Sequence, residues 1–161
     1  MLKLDNRQLQ ALCQDAQSLP RRRKNLNVHS DMADTVQRLF IAMQPDSYVR
    51  PHRHVEVEKT ETFVVVHGEF EILIFESNGC LQERVFLSDK DGGVRLVVIP
   101  PGIWHTVIAR QVDSIFFEVK QGPYQALSDK DFAAWAPLEQ SSTVNVFMEW
   151  LRHAEIGDVP L

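Results

Sequence analysis

From residue 35 to residue 121 the chain is cut into strand-length pieces by turn signals, and this regular punctuation restricts the fold more than any other feature. In VQRLFIAMQ, Leu39, Ile41 and Met43 alternate with Arg38, Phe40 and Ala42, the period of two that a strand with one buried face requires. Further strands are expected at 47–54, 60–67, 69–76, 81–88, 94–99, 106–110 and 114–120. Between them stand Gly68, Ser77-Asn78-Gly79, the stretch 89–93, Pro100-Pro101-Gly102 and Asp113, residue types that favour chain reversal. About eight short strands with no helix between them point to an antiparallel sandwich or barrel. A parallel α/β fold would need crossover connections that these segments leave no room for.

The ends read differently. Over 5–19, Leu9, Leu12, Cys13 and Ala16 recur at helical spacing, Asp5 or Asn6 can cap the start, and Pro20 ends the run. Residues 20–34 are polar and are expected to be irregular. Residues 122–140 show no sustained period and are expected to wrap over the sheets as coil. A last helix over 141–153 would put Val144, Phe147, Met148 and Leu151 on one stripe, with Ser142 or Asn145 as cap. The expected organisation is a helix and polar arm at 1–34, an all-β barrel at 35–121, and a wrapping tail with a short helix at 122–161.

Histidines fall at chemically suggestive places. If 47–54 is a strand, His52 and His54 project from one face, because residues two apart point the same way. Glu61 opens the next strand and shares parity with Phe63 and Val65, which read as interior; Glu56 and Glu58 compete with it. His105 leaves the Pro100-Pro101-Gly102 turn with Val107 and Ala109 as its inward partners. Three imidazoles and one carboxylate form a shell for a divalent metal, and iron, manganese, nickel, zinc and cobalt all suit it. His67, at a hairpin tip, is expected to face solvent, and His29 and His153 lie outside the strand set.

Other residues are candidates for a bound ligand. Tyr48 and Arg50 share parity with His52, so Arg50 either clamps an anion above the metal or pairs with an acid at the rim. Lys59 shares parity with Glu61 and is either a general base or an edge residue. His29, with Asn25 and Asn27, could fold over the mouth from the arm, and Tyr124 could do so from the tail. Glu118 is expected outside, because Ile115, Phe117 and Val119 form the more apolar face; a bulge would reverse it.

The motifs resemble those of the cupins. His52-x-His54, Glu61 and Gly68 fit the first cupin motif, with a longer gap before the glutamate than usual. Pro100, Gly102 and His105 fit the second, with Ala109 where an asparagine often stands. YVRPHRH, IPPGIWH and the tail GPYQALSDKDFAAWAPLE are similar more narrowly to the WbuC family of small cupin metalloproteins. That resemblance implies a jelly-roll-like cupin barrel, a divalent metal on His52, His54, Glu61 and His105, and a setting in bacterial polysaccharide (O-antigen) metabolism. It names no reaction. Three classes stay open: a metal-dependent isomerase, epimerase or lyase on a carbohydrate, nucleotide-sugar or small acid; a non-haem iron oxygenase; and a non-catalytic sugar-binding or small-molecule-binding module. Small cupins also pair, so a homodimer is expected.

Composition excludes some partners. A net charge of −5, from 17 basic and 22 acidic residues, with only one short basic run at Arg21-Arg22-Arg23-Lys24, argues against nucleic acid. That run reads as a solvated arm or an anion contact. Cys13 and Cys80 show no metal or redox spacing, and nothing reads as a leader or a membrane span, so a reduced cytoplasmic protein is expected.

Overall fold

The computed structural model describes residues 1–55, 59–126, 128 and 131–160. Among these residues, helix α1 (Asn6–Ser18) precedes eight strands: β1 (Arg23–Asn27), β2 (Val36–Met43), β3 (Glu61–His67), β4 (Glu69–Phe75), β5 (Leu81–Ser88), β6 (Leu96–Ile99), β7 (Trp104–Ala109) and β8 (Ser114–Gln121). Helix α2 (Val144–His153) follows. The strands form two antiparallel sheets, ordered β1-β2-β8-β3-β6 and β5-β4-β7. This is the expected jelly-roll-like all-β class, although the strands do not close into a barrel. Among the described residues, no helix is long and apolar enough to cross a membrane.

The two inner faces make the central core. Leu39, Ile41, Phe63, Val65 and Phe116 from the larger sheet meet Phe70, Ile72, Leu87 and Val107 from the smaller. The outer faces are covered as well. Helix α1 lays Leu12, Cys13 and Ala16 on Ala42 and Ile115. Asp5 begins that helix with a capping box, its carboxylate accepting from the N–H groups of Arg7 and Gln8. Helix α2 lays Phe147, Met148 and Leu151 on Leu73, Phe75 and Leu81. Its N-cap is Thr143, with no side-chain capping bond, where Ser142 or Asn145 was expected.

The structure corrects two expectations about chain path. Residues 23–27 are not irregular: they add an edge strand to β2, pairing Asn25 with Ile41. Residues 47–54 are not a strand. Pro51 has no N–H to give, and the segment bridges β7 only where His52 and His105 exchange backbone bonds of 3.0 and 2.9 Å. On its other side Ala133 N–H donates to Pro51 O and Arg53 N–H to Asp131 O, so the tail holds it in place. The hairpin between β3 and β4 needs Gly68: its φ is 82°, and a Cβ there would lie 2.3 Å from Ser114 Oγ.

Candidate metal centre

His52, His54, Glu61 and His105 come together at one end of the central core. Each arrives by a different route. Glu61 is the first residue of β3, pointing inward with Phe63 and Val65. His105 is the second residue of β7, after a turn in which Gly102 N–H donates to His54 O at 2.7 Å. His52 is fixed by its bridge to His105. The ligand atoms of His52, Glu61 and His105 all lie within 4.8 Å of one another, a spacing that could hold a metal ion. His54 lies against the same carboxylate: its Nε2 is 3.0 Å from Glu61 Oε1, while His105 Nε2 is 3.0 Å from Glu61 Oε2. Glu56 and Glu58, the alternatives to Glu61, lie outside the described residues.

The donor atoms are arranged as a bound cation would require. His52 Nδ1 faces Arg50 O at 3.0 Å and His105 Nδ1 faces Ile103 O at 3.0 Å, so each N–H is committed to a carbonyl and each Nε2 keeps its lone pair. Among the described residues, His54 Nε2, His105 Nε2 and Glu61 Oε2 are buried without a well-formed hydrogen bond. Orphaned acceptors at van der Waals range of each other are costly unless something positive joins them. Burial and the neighbouring His105 lower the His52 pKa to about 3, which keeps it neutral. For Glu61, burial alone would raise the pKa; the Lys120 ammonium beside it works the other way, and the group is held well below the carboxylate range.

Two residues not expected at the site are part of it. Lys120 Nζ lies 3.2 Å from Glu61 Oε1 and 2.5 Å from Glu118 Oε1. Glu118 is not outside: Phe116, Glu118 and Lys120 share the inner face of β8, in register with Val65, Phe63 and Glu61. No bulge is needed. Ile115, on the other face, packs under α1, so both faces of β8 are apolar and hydrophobicity alone could not orient the strand. The usable signal was the charged pair Glu118-x-Lys120 at one parity. Burial raises the Glu118 pKa against the pull of Lys120. Burial also works to lower the Lys120 pKa, but Glu118 and Glu61 outweigh it and raise it.

The ligand candidates separate into groups. Arg50 lines a cavity of about 210 Å³ with His52, Glu61, His105, Glu118 and Lys120. Its Nη2 donates to Ala133 O at 2.8 Å, and its guanidinium lies 5.3 Å from the Phe132 ring centroid. Lys59 and Tyr124 line a second pocket of about 140 Å³, together with His52, His54 and Lys120. Tyr48 and His29 are at neither. Tyr48 is buried under α2, its hydroxyl donating to Pro137 O at 2.9 Å. His29 accepts the Arg38 N–H at 3.1 Å on the outside of β2. His67 is exposed and sits 3.1 Å from Asp89, and His153 is exposed beside Glu149. In the basic run, Arg21 and Arg23 pair with Glu139, and Arg22 pairs with Asp46.

This fold recurs in solved structures. KdgF from Halomonas sp. superposes with a TM-score of 0.50 at 19% identity, covering 67% of this chain and 84% of that one. The TT1209 protein from Thermus thermophilus gives 0.53 at 17% identity, covering 75% and 97%. A cupin-2 domain protein from Shewanella frigidimarina gives 0.46 at 16% identity, covering 62% and 80%. At 19% and 17% identity the likeness to KdgF and TT1209 is one of fold alone, an antiparallel double-sheet arrangement. No curated protein matches the chain. Residues 4–87 match the family model described as a domain of unknown function (DUF6016), and the chain belongs to that family.

Proposed function

We propose that the chain is a small cupin metalloenzyme that holds one divalent ion on His52, His54, Glu61 and His105 and acts on a small molecule in the adjoining cavity. The observation that carries this reading is the convergence of buried, unpartnered His54 Nε2, His105 Nε2 and Glu61 Oε2. Bound there, such an ion would polarise a ligand oxygen or lower the pKa of a bound water. The protein's own groups supply the rest. Arg50 can bind an anionic group, and Ile41, Met43, Phe63, Val107 and Phe116 give the cavity one apolar wall. Glu118, its pKa raised by burial, can hold a proton at the cavity surface, with Lys120 positioning both it and Glu61. Titratable side chains within the cavity favour an enzyme over a passive binding module.

The finer kinship with the WbuC family, and a place in polysaccharide metabolism, rest on the sequence motifs alone. For the expected homodimer we propose the edge strand β6, where Leu96 and Val98 are exposed, as the contact. Sedimentation velocity reads that mass directly, and a monomer at micromolar concentration would remove it. Elemental analysis of untagged protein tests the metal centre: near one equivalent of a divalent metal is expected, and His52→Ala with His54→Ala should abolish its retention. Stoichiometric metal in the double variant would sink the assignment. Oxygen uptake by an iron-loaded sample would turn the reading towards an oxygenase.

A further inference from the structure

Resting on the metal centre proposed above, we infer that its cavity takes a small monocarboxylic acid with a mainly apolar body, in preference to a sugar or nucleotide-sugar. The cavity holds about 210 Å³. At about 30 Å³ for each water of the liquid, that is the room of about seven waters, enough for a ligand of roughly ten non-hydrogen atoms. A nucleotide-sugar is several times larger and would leave most of its length outside the cavity.

The wall chemistry narrows the class further. Ile41, Met43, Val49, Phe63, Val107 and Phe116 present carbon to the cavity. Sugar hydroxyls placed against them would lose water without gaining partners, at about 1–3 kcal/mol for each buried group left unpaired. An alkyl body meets no such penalty.

Charge selects the head group. Arg21, Arg23, Arg50 and Lys120 line the cavity against Glu61, Glu118 and Glu139, so cations already outnumber carboxylates before a divalent ion is added. Arg21 and Arg23 are both engaged by Glu139, and Lys120 is engaged by Glu61 and Glu118. Arg50 differs from them. Among the described residues it has no carboxylate partner: Nη2 is spent on Ala133 O, Nε is buried out of reach of a ligand, and no hydrogen bond engages Nη1. A guanidinium with an unengaged Nη1 at the cavity of the proposed metal centre suits one ligand carboxylate.

The test is calorimetric titration of the untagged protein, with and without bound metal, using butyrate, 2-oxobutyrate, butyramide and UDP-glucose. The acids should bind at least tenfold more tightly than butyramide, and UDP-glucose should bind no better than the amide. Arg50→Met should weaken the acids tenfold or more with metal content unchanged; Arg50→Lys should restore part of the loss. A merely structural Arg50 would affect acid and amide alike. Equal binding of butyramide and butyrate, tighter binding of UDP-glucose, or indifference to Arg50→Met would each overturn the inference. The two readings fail separately. Absence of bound metal defeats the metal centre, while an Arg50-dependent acid preference in the same metal-free sample would still support the ligand class.

Discussion

Glu61→Gln is the substitution whose effect the structure fixes most closely. It keeps the shape of a nearly fully buried side chain and removes its charge. Breaking a buried ion pair by neutralising one partner typically costs about 3–5 kcal/mol, because the other charge is left uncompensated. Lys120 would not be left alone, since Glu118 stays 2.5 Å away. The cost in metal-free protein should therefore fall to about 2–3 kcal/mol, a loss of roughly 5–10 °C in Tm for a domain of this size. The metal-bound comparison carries the information. An ion at a thousand times its Kd stabilises the wild type by about 4 kcal/mol, or roughly 8–16 °C. Calorimetric melts with chelator and with added manganese or zinc should show that rise in the wild type and little of it in Glu61→Gln. A variant whose Tm rises with metal as far as the wild type's would show that Glu61 holds no metal, whatever its stability without metal.

On the proposed metal centre, Lys120→Met removes the cation that would compete with a metal for Glu61. Metal-free protein should lose about 3 kcal/mol, while metal affinity should tighten about tenfold, or about 1.4 kcal/mol, by competition titration; weaker binding would contradict the geometry. The pH dependence has a definite sign. His52 has a folded pKa of about 3, so below its ordinary value near 6.5 the unfolded chain binds more protons and stability falls. Glu61 is depressed, so its contribution is present above its ordinary range and is lost as pH falls through the folded value. Glu118, raised by burial, works in the opposite sense as pH climbs past the carboxylate range. Metal competes with protons for the same imidazoles, so added metal should displace the acid fall in Tm to lower pH; an unshifted curve would count against the centre. Leu12→Ala on α1 should cost about 2–3 kcal/mol by denaturant melt with metal retention intact, and lost metal would mean that α1 supports the site as well as the outer face.

Much of the fold was legible because alternation and turn chemistry are local. Leu39, Ile41 and Met43 announced their buried face, and Gly68 and Pro100-Pro101-Gly102 announced the reversals that place Glu61 and His105. What escaped depends on partners distant in sequence. Residues 23–27 look polar because an edge strand needs only one neighbour, and β2 supplies it. The 47–54 segment looked like a strand, yet Pro51 and the returning tail limit it to a bridge at His52, so the two histidines converge through tertiary contacts and not through strand parity. Glu118 and Lys120 were hidden by α1, which makes the outer face of β8 as apolar as the inner one. The same distance effect explains Tyr48: its parity with His52 suggested the cavity, but the irregular backbone turns it under α2.

The central claim is that a metal sits among His52, His54, Glu61 and His105. Anomalous diffraction from crystals of metal-loaded protein, collected on both sides of the metal's absorption edge, tests it most directly. A metal held there gives a single strong anomalous peak at bonding distance, roughly 2.0–2.2 Å, from imidazole Nε2 atoms and a Glu61 oxygen, with Lys120 drawn towards Glu118. A peak elsewhere on the chain, or no peak with Lys120 still seated on Glu61, would contradict it.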